Sequence, residues 1–129
     1  MTFVELLKQI KTVELHEIRV DLPEKLEVVS TNQNLSQLTA FFDQFFGKPL
    51  KAPNEFPSGI AKKYAGPYGG IRSDQTLYCL HDGEVCSFVM IWPWSDNMLS
   101  TVKIFQDKVA PVSAPSGKAV QSFFKRFFE

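Results

Sequence analysis

A chain of 129 residues, 44% apolar and 22% charged, has ordinary globular composition, which excludes extensive disorder and any need for a metal or disulfide framework. Fourteen Lys plus Arg balance fourteen Asp plus Glu, so the excess of positive charge that marks most nucleic-acid-binding proteins is missing. No nucleic-acid partner is expected, and zero net charge removes the repulsion that keeps copies of a protein apart.

The length fits one domain over residues 1–129. Glu5 and Lys8 interrupt the first apolar stretch, which has no basic leader, and no run approaches the ~18 apolar residues of a membrane span. A cytoplasmic protein without membrane association is therefore expected.

In chain order, Phe3, Leu6, Leu7 and Ile10 recur at helical spacing, with Thr2 and Glu5 placed as a capping box, so a helix is expected over 2–11 and onward to about Leu15. Ile18, Val20 and Leu22 alternate with Arg19 and Asp21, the pattern of a half-buried strand that Pro23 ends. A second short strand is expected over 26–30. Asn34 stands as the N-cap of a strong helix carrying Leu35, Leu38, Phe41, Phe42, Phe45 and Phe46, stopped by Gly47 and Pro49. Residues 47–70, rich in proline and glycine, read as a long loop with a helical turn or two at 58–64. Residues 71–107 read as a three-stranded antiparallel meander, with Asp82-Gly83 as a type I′ turn, Ser95-Asp96-Asn97 as the second turn and the third strand over 99–106. A terminal helix is expected over 116–128. Hairpin-linked strands with helices before, between and after them predict an α+β fold: a curved antiparallel sheet of about four or five strands against two or three helices.

Twelve phenylalanines are unusual in so short a chain. Most must fill the core, since a domain this small has few other places for them. The terminal cluster Phe123, Phe124, Phe127 and Phe128 is the candidate interface for a second copy or a protein partner, because a terminal helix can dock on a neighbour.

A two-residue Asp82-Gly83 loop sets Cys79 directly opposite Cys86 and His81 opposite Glu84, with opposed Cα atoms about 4.5–5.5 Å apart. That is within reach of a disulfide, but buried free thiols are the expectation in a reducing compartment, with redox response as an alternative. His16 and His81 belong to no metal-binding spacing, and P-loop, dinucleotide and nucleophile-elbow motifs are absent, so no metal or cofactor is expected.

The most site-like stretch is 62–72, where Tyr64, Tyr68 and Arg72 flank glycines that let backbone approach a ligand. Trp92 and Trp94, two apart on a strand, share a face and could complete a small-molecule site with them. The expected function is a non-catalytic, self-associating binding or interaction protein that uses an aromatic-rich surface or pocket. A ligand-binding or enzymatic site at the 62–72 loop and the open end of the sheet is the alternative.

Overall fold

The computed structural model describes residues 1–112. Within them the chain is α+β, as the sequence predicts: five strands form one open antiparallel sheet with helices on both faces.

Helix α1 (Phe3–Ile10) starts where Thr2 accepts the Glu5 amide at 3.1 Å and ends at Lys11, short of the Leu15 expected from periodicity. Thr12 closes it, its hydroxyl donating to the Gln9 carbonyl at 2.6 Å. Strand β1 (Glu17–Leu22) turns through Pro23-Glu24 into β2 (Lys25–Thr31). Helix α2 (Asn32–Phe46) follows without a loop. Its N-cap is Thr31, which accepts the Asn34 amide at 3.2 Å, so the cap lies three residues before the expected Asn34. Gly47 ends it at φ 78°, a conformation that only glycine adopts cheaply.

Helix α3 (Gly59–Ala65), capped by Ser58, occupies the helical turns expected in the long loop and passes into a 3-10 turn at Gly66–Tyr68. The meander consists of β3 (Thr76–Asp82), β4 (Val85–Pro93) and β5 (Leu99–Lys108). Residues 71–75, expected as the start of its first strand, precede β3 instead.

The sheet order is β1-β2-β5-β4-β3. The N-terminal hairpin thus docks on the last strand, and β2, the weaker of the two strands in the sequence, is interior, between β1 and β5. Reading across the first face, Leu26, Ile104, Val89 and Tyr78 form one row, all buried. Helices α1 and α2 cover this face with Leu6, Ile10, Leu38, Phe42 and Phe46. The α2 phenylalanines are therefore core, as their spacing implies.

On the second face, α3 and the turn after it pack Ala61, Tyr64 and Ala65 against Leu77, Phe88, Met90 and Phe105. Strand β4 is nearly continuous in apolar side chains because it is covered on both sides.

Two expectations fail for identifiable reasons. The β3–β4 turn is Gly83-Glu84, with Asp82 opposite Val85 and positive φ at Gly83 but not at Glu84. Cys79 therefore faces Phe88 and Cys86 faces His81, so neither Cys79–Cys86 nor His81–Glu84 is a direct pair. The shift is two residues, which leaves every side chain on its expected face and is invisible to hydrophobic alternation. The half-burial expected of β1 also fails: Ile18 and Leu22 are 48% and 49% exposed. A bulge between Ile18 and Val20 puts Ile18 beside Val28 but Val20 beside Glu27, so the apolar residues of this edge strand fall on opposite faces.

Candidate functional site

The second sheet face divides along its length. Across one row the residues run Glu27, Lys103, Met90, Leu77, and across the next Lys25, Phe105, Phe88, Cys79. The β3–β4 half is apolar and lies under α3. Toward β2 the positions turn charged at Lys103, Glu27 and Lys25, with Val20 and Leu22 beyond them on β1, and these lie outside the apolar cluster under α3.

At the border between the two lie Trp92, near the end of β4 and packed against the cluster under α3, and Trp94, just beyond the strand. Alternation does put them on one face: Trp92 stands beneath Lys103, and the Trp94 Nε1 donates to Thr101 Oγ1 at 2.8 Å. The Lys103 ammonium is 4.0 Å from the Trp92 ring centroid, and the Arg19 guanidinium 5.4 Å from that of Trp94. Such pairs contribute about 0.5–2 kcal/mol, more as water is removed. The β1 bulge delivers Arg19, whose Nε also donates to Glu17 Oε2 at 2.9 Å. Lys103 has Glu27 at 4.0 Å, and both side chains are mostly covered.

Trp92 is held from its other side. A Cβ at Gly69, where φ is +108°, would fall 3.1 Å from the Trp92 ring, so the turn after α3 rests directly on the indole. The Trp92 Nε1 is buried without an acceptor among the described residues. Tyr68, from the same turn, packs on Phe88 and Phe105, and its hydroxyl donates to Asp107 at 2.7 Å. Burial first, then this hydrogen bond to a carboxylate, pushes the Tyr68 hydroxyl far above its ordinary range. Beside it a cleft of about 250 Å³ opens between Tyr68, Lys25, Lys103 and Phe105.

The other expected ligand-binding residues do not join this group. Tyr64 is buried, and its hydroxyl accepts the Val112 amide at 2.9 Å. Burial raises its pKa as well. Arg72 is exposed near the opposite edge of the sheet, 3.6 Å from Asp74. Of the five, Trp92 and Trp94 each stand under a cation, Tyr68 lies in the covering turn on Phe88 and Phe105, Tyr64 is structural and Arg72 is elsewhere. Phe123, Phe124, Phe127 and Phe128, with the 116–128 helix, lie outside the described residues.

Cys79 and Cys86 are free thiols on the covered half of the same face, diagonal neighbours rather than a direct pair. Their hydrogen bond, and then burial, pushes the Cys79 thiol far up, while the same bond holds Cys86 below its usual value. The His81 ring packs against Tyr64 and its Nε2 lies 3.1 Å from the Val109 carbonyl. Among the described residues no three His, Cys, Asp or Glu side chains are placed to hold a metal ion, and no helix is long and apolar enough to cross a membrane.

Sequence reasoning found the two tryptophans but missed Arg19 and Lys103, which reach them from β1 and β5. The only local sign was a cation between two apolar residues, Arg19 between Ile18 and Val20 and Lys103 between Val102 and Ile104. Compared with known protein families, characterised proteins and solved structures, the chain matches none of them.

Proposed function

We propose that this chain is a non-catalytic binding protein that self-associates through the strip formed by Trp92, Trp94, Arg19 and Lys103. The observation that carries the reading is the pair of indoles, each under a cation, where the second face passes from the cluster under α3 to the charged positions of β2 and β5. Tryptophan and arginine are the residues most enriched where protein interfaces bind most strongly. Each cation has a carboxylate beside it, Glu17 for Arg19 and Glu27 for Lys103, so the strip carries both signs. A second copy turned about a twofold axis can set cation against carboxylate, the self-complementarity an isologous dimer requires. The protein's zero net charge opposes nothing.

Light scattering and sedimentation equilibrium on the full chain test this. A dimer of micromolar affinity is expected, weakened about tenfold or more by Trp94→Ala combined with Arg19→Glu while circular dichroism stays unchanged. Trp94 is the better target, because Trp92 also supports the Gly69 turn. A monomer throughout the micromolar range, or a dimer indifferent to both substitutions, overturns the reading. A dimer lost only when Phe123, Phe124, Phe127 and Phe128 are replaced by Ser would move the interface to the terminal cluster.

The cleft beside Tyr68 favours a second reading, a small-ligand site where the 62–72 loop meets the sheet. Lys25 and Lys103 would supply its charge. It would show as ligand-dependent stabilisation that is lost on Lys103→Met in a chain that stays monomeric.

A further inference from the structure

On the first face, away from the strip, α2 does not reach the end of the sheet formed by β3 and β4. A groove of about 360 Å³ remains there. Leu35, Thr39 and Asp43, one turn apart along α2, make one wall; Tyr78 and Ile91 form the floor; Asp74 and prolines of the 49–53 connection make the far rim. The volume is within the range of small-ligand pockets, and the lining is mostly apolar with few polar groups, the usual balance in such sites.

The two carboxylates differ in what already neutralises them. Asp74 has Arg72 at 3.6 Å and acts on the Lys51 ammonium nearby. Asp43 accepts the Tyr78 hydroxyl at 2.7 Å, and no Lys, Arg or His nitrogen lies within 4.0 Å of it among the described residues. A carboxylate offers about four acceptor positions, and the tyrosine takes one. Asp43 is thus fixed in direction by a buried tyrosine, borders an apolar floor and has acceptor capacity and charge to spare.

We propose that this groove binds a small organic ammonium ion, with its apolar body on Tyr78 and Ile91 and its NH₃⁺ on Asp43. The charge selects a cation, and the apolar floor excludes the inorganic ones, which keep their water. The site is on the opposite face from the strip and does not depend on self-association.

The probes are phenethylammonium, its neutral analogue 2-phenylethanol and the anion 3-phenylpropionate, each titrated into ¹⁵N-labelled full-length protein. Phenethylammonium is expected to shift the amides of Thr39, Asp43, Thr76 and Tyr78, binding about fivefold more tightly than the alcohol, with the carboxylate weakest. Asp43→Asn keeps an acceptor for Tyr78 and should bring the ammonium down to the level of the alcohol. Thr39→Phe fills the groove and should abolish both, in a chain whose melting temperature shows it to be folded. Equal binding of cation and anion overturns the proposal, as do shifts that centre elsewhere or none at all. The three probes on the unsubstituted chain decide this even if a variant fails to fold.

Discussion

Lys51 and Leu77 exchange two backbone hydrogen bonds, 3.2 Å from the Lys51 amide and 3.0 Å back to its carbonyl, so one residue of the long connection pairs with the β3 edge. The side chain of the same residue is buried and donates to the carbonyls of Ser73 and Gln75, the latter at 2.6 Å. The edge of the sheet is thereby covered and the approach to β3 is fixed.

Replacing Lys51 with Met leaves two carbonyls without their donor, and a loss of about 1–3 kcal/mol is expected in denaturant unfolding. Burial depresses the Lys51 pKa below 10.5, with Asp74 and then Glu55 opposing. In the window between the depressed native value and 10.5 the unfolded chain binds more protons, so this group makes stability rise with pH there. Denaturation midpoints measured on the alkaline side should show that upward component in the parent chain and not in Lys51→Met.

The chain's three tyrosines act in the opposite sense. Burial, joined by hydrogen bonding to Asp107 or Asp43 at two of them, raises the pKa of Tyr64, Tyr68 and Tyr78 above 10. Their contribution is complete below pH 10 and is lost as pH rises toward the native values. Absorbance at 295 nm should therefore stay flat past pH 10 and then rise in one step together with the loss of circular dichroism. A gradual rise centred on the ordinary tyrosine value, with the fold intact, would show that these hydroxyls are not held as described.

Gly69 and Gly66 lie in the same turn and predict opposite outcomes. Ala at Gly69 would need φ +108° and would press a methyl on Trp92 at 3.1 Å, so a loss of about 1–3 kcal/mol is expected. Gly66 has φ −50° and open space at its Cβ, so Ala there should be neutral or stabilise by up to about 1 kcal/mol. Thermal melts of the two variants give the comparison directly.

Thiol accessibility separates the cysteines. Cys86 is buried and should react with an aromatic disulfide reagent only through opening of the sheet, and Cys79, partly exposed but held protonated, should react slowly at neutral pH. Both should be titrated at once in denaturant. If mild peroxide oxidises the pair in the folded chain, the redox reading of the sequence gains support; thiols that stay unmodified count against it.

The sequence carried the elements better than their relations. Periodicity located α1, α2 and the helical turns of α3, because each buries one stripe. Both Thr31 and Asn34 are good capping residues, and only the structure decides for Thr31, since Asn34 donates instead to the Glu14 carbonyl at 3.3 Å. The hairpin register was out of reach because a two-residue shift preserves both faces. Trp92 and Trp94 could be paired from alternation alone. Their cations could not, since Arg19 depends on a bulge and Lys103 on the register of β5 against β4, which sets Trp92 opposite Thr101. Asp43 had one faint sign, a carboxylate following Thr39 by four residues between the pairs Phe41-Phe42 and Phe45-Phe46.

The pairing of β2 with β5 has a consequence in time. Residues 25–31 find their second neighbour only at 99–105, so during synthesis the first hairpin must wait until nearly all of the described chain has left the ribosome. The meander of β3, β4 and β5 closes over short loops and can assemble first. Docking of the early hairpin onto that late scaffold is then the slow event, and until it occurs both β2 and β5 offer unpaired backbone to any passing chain.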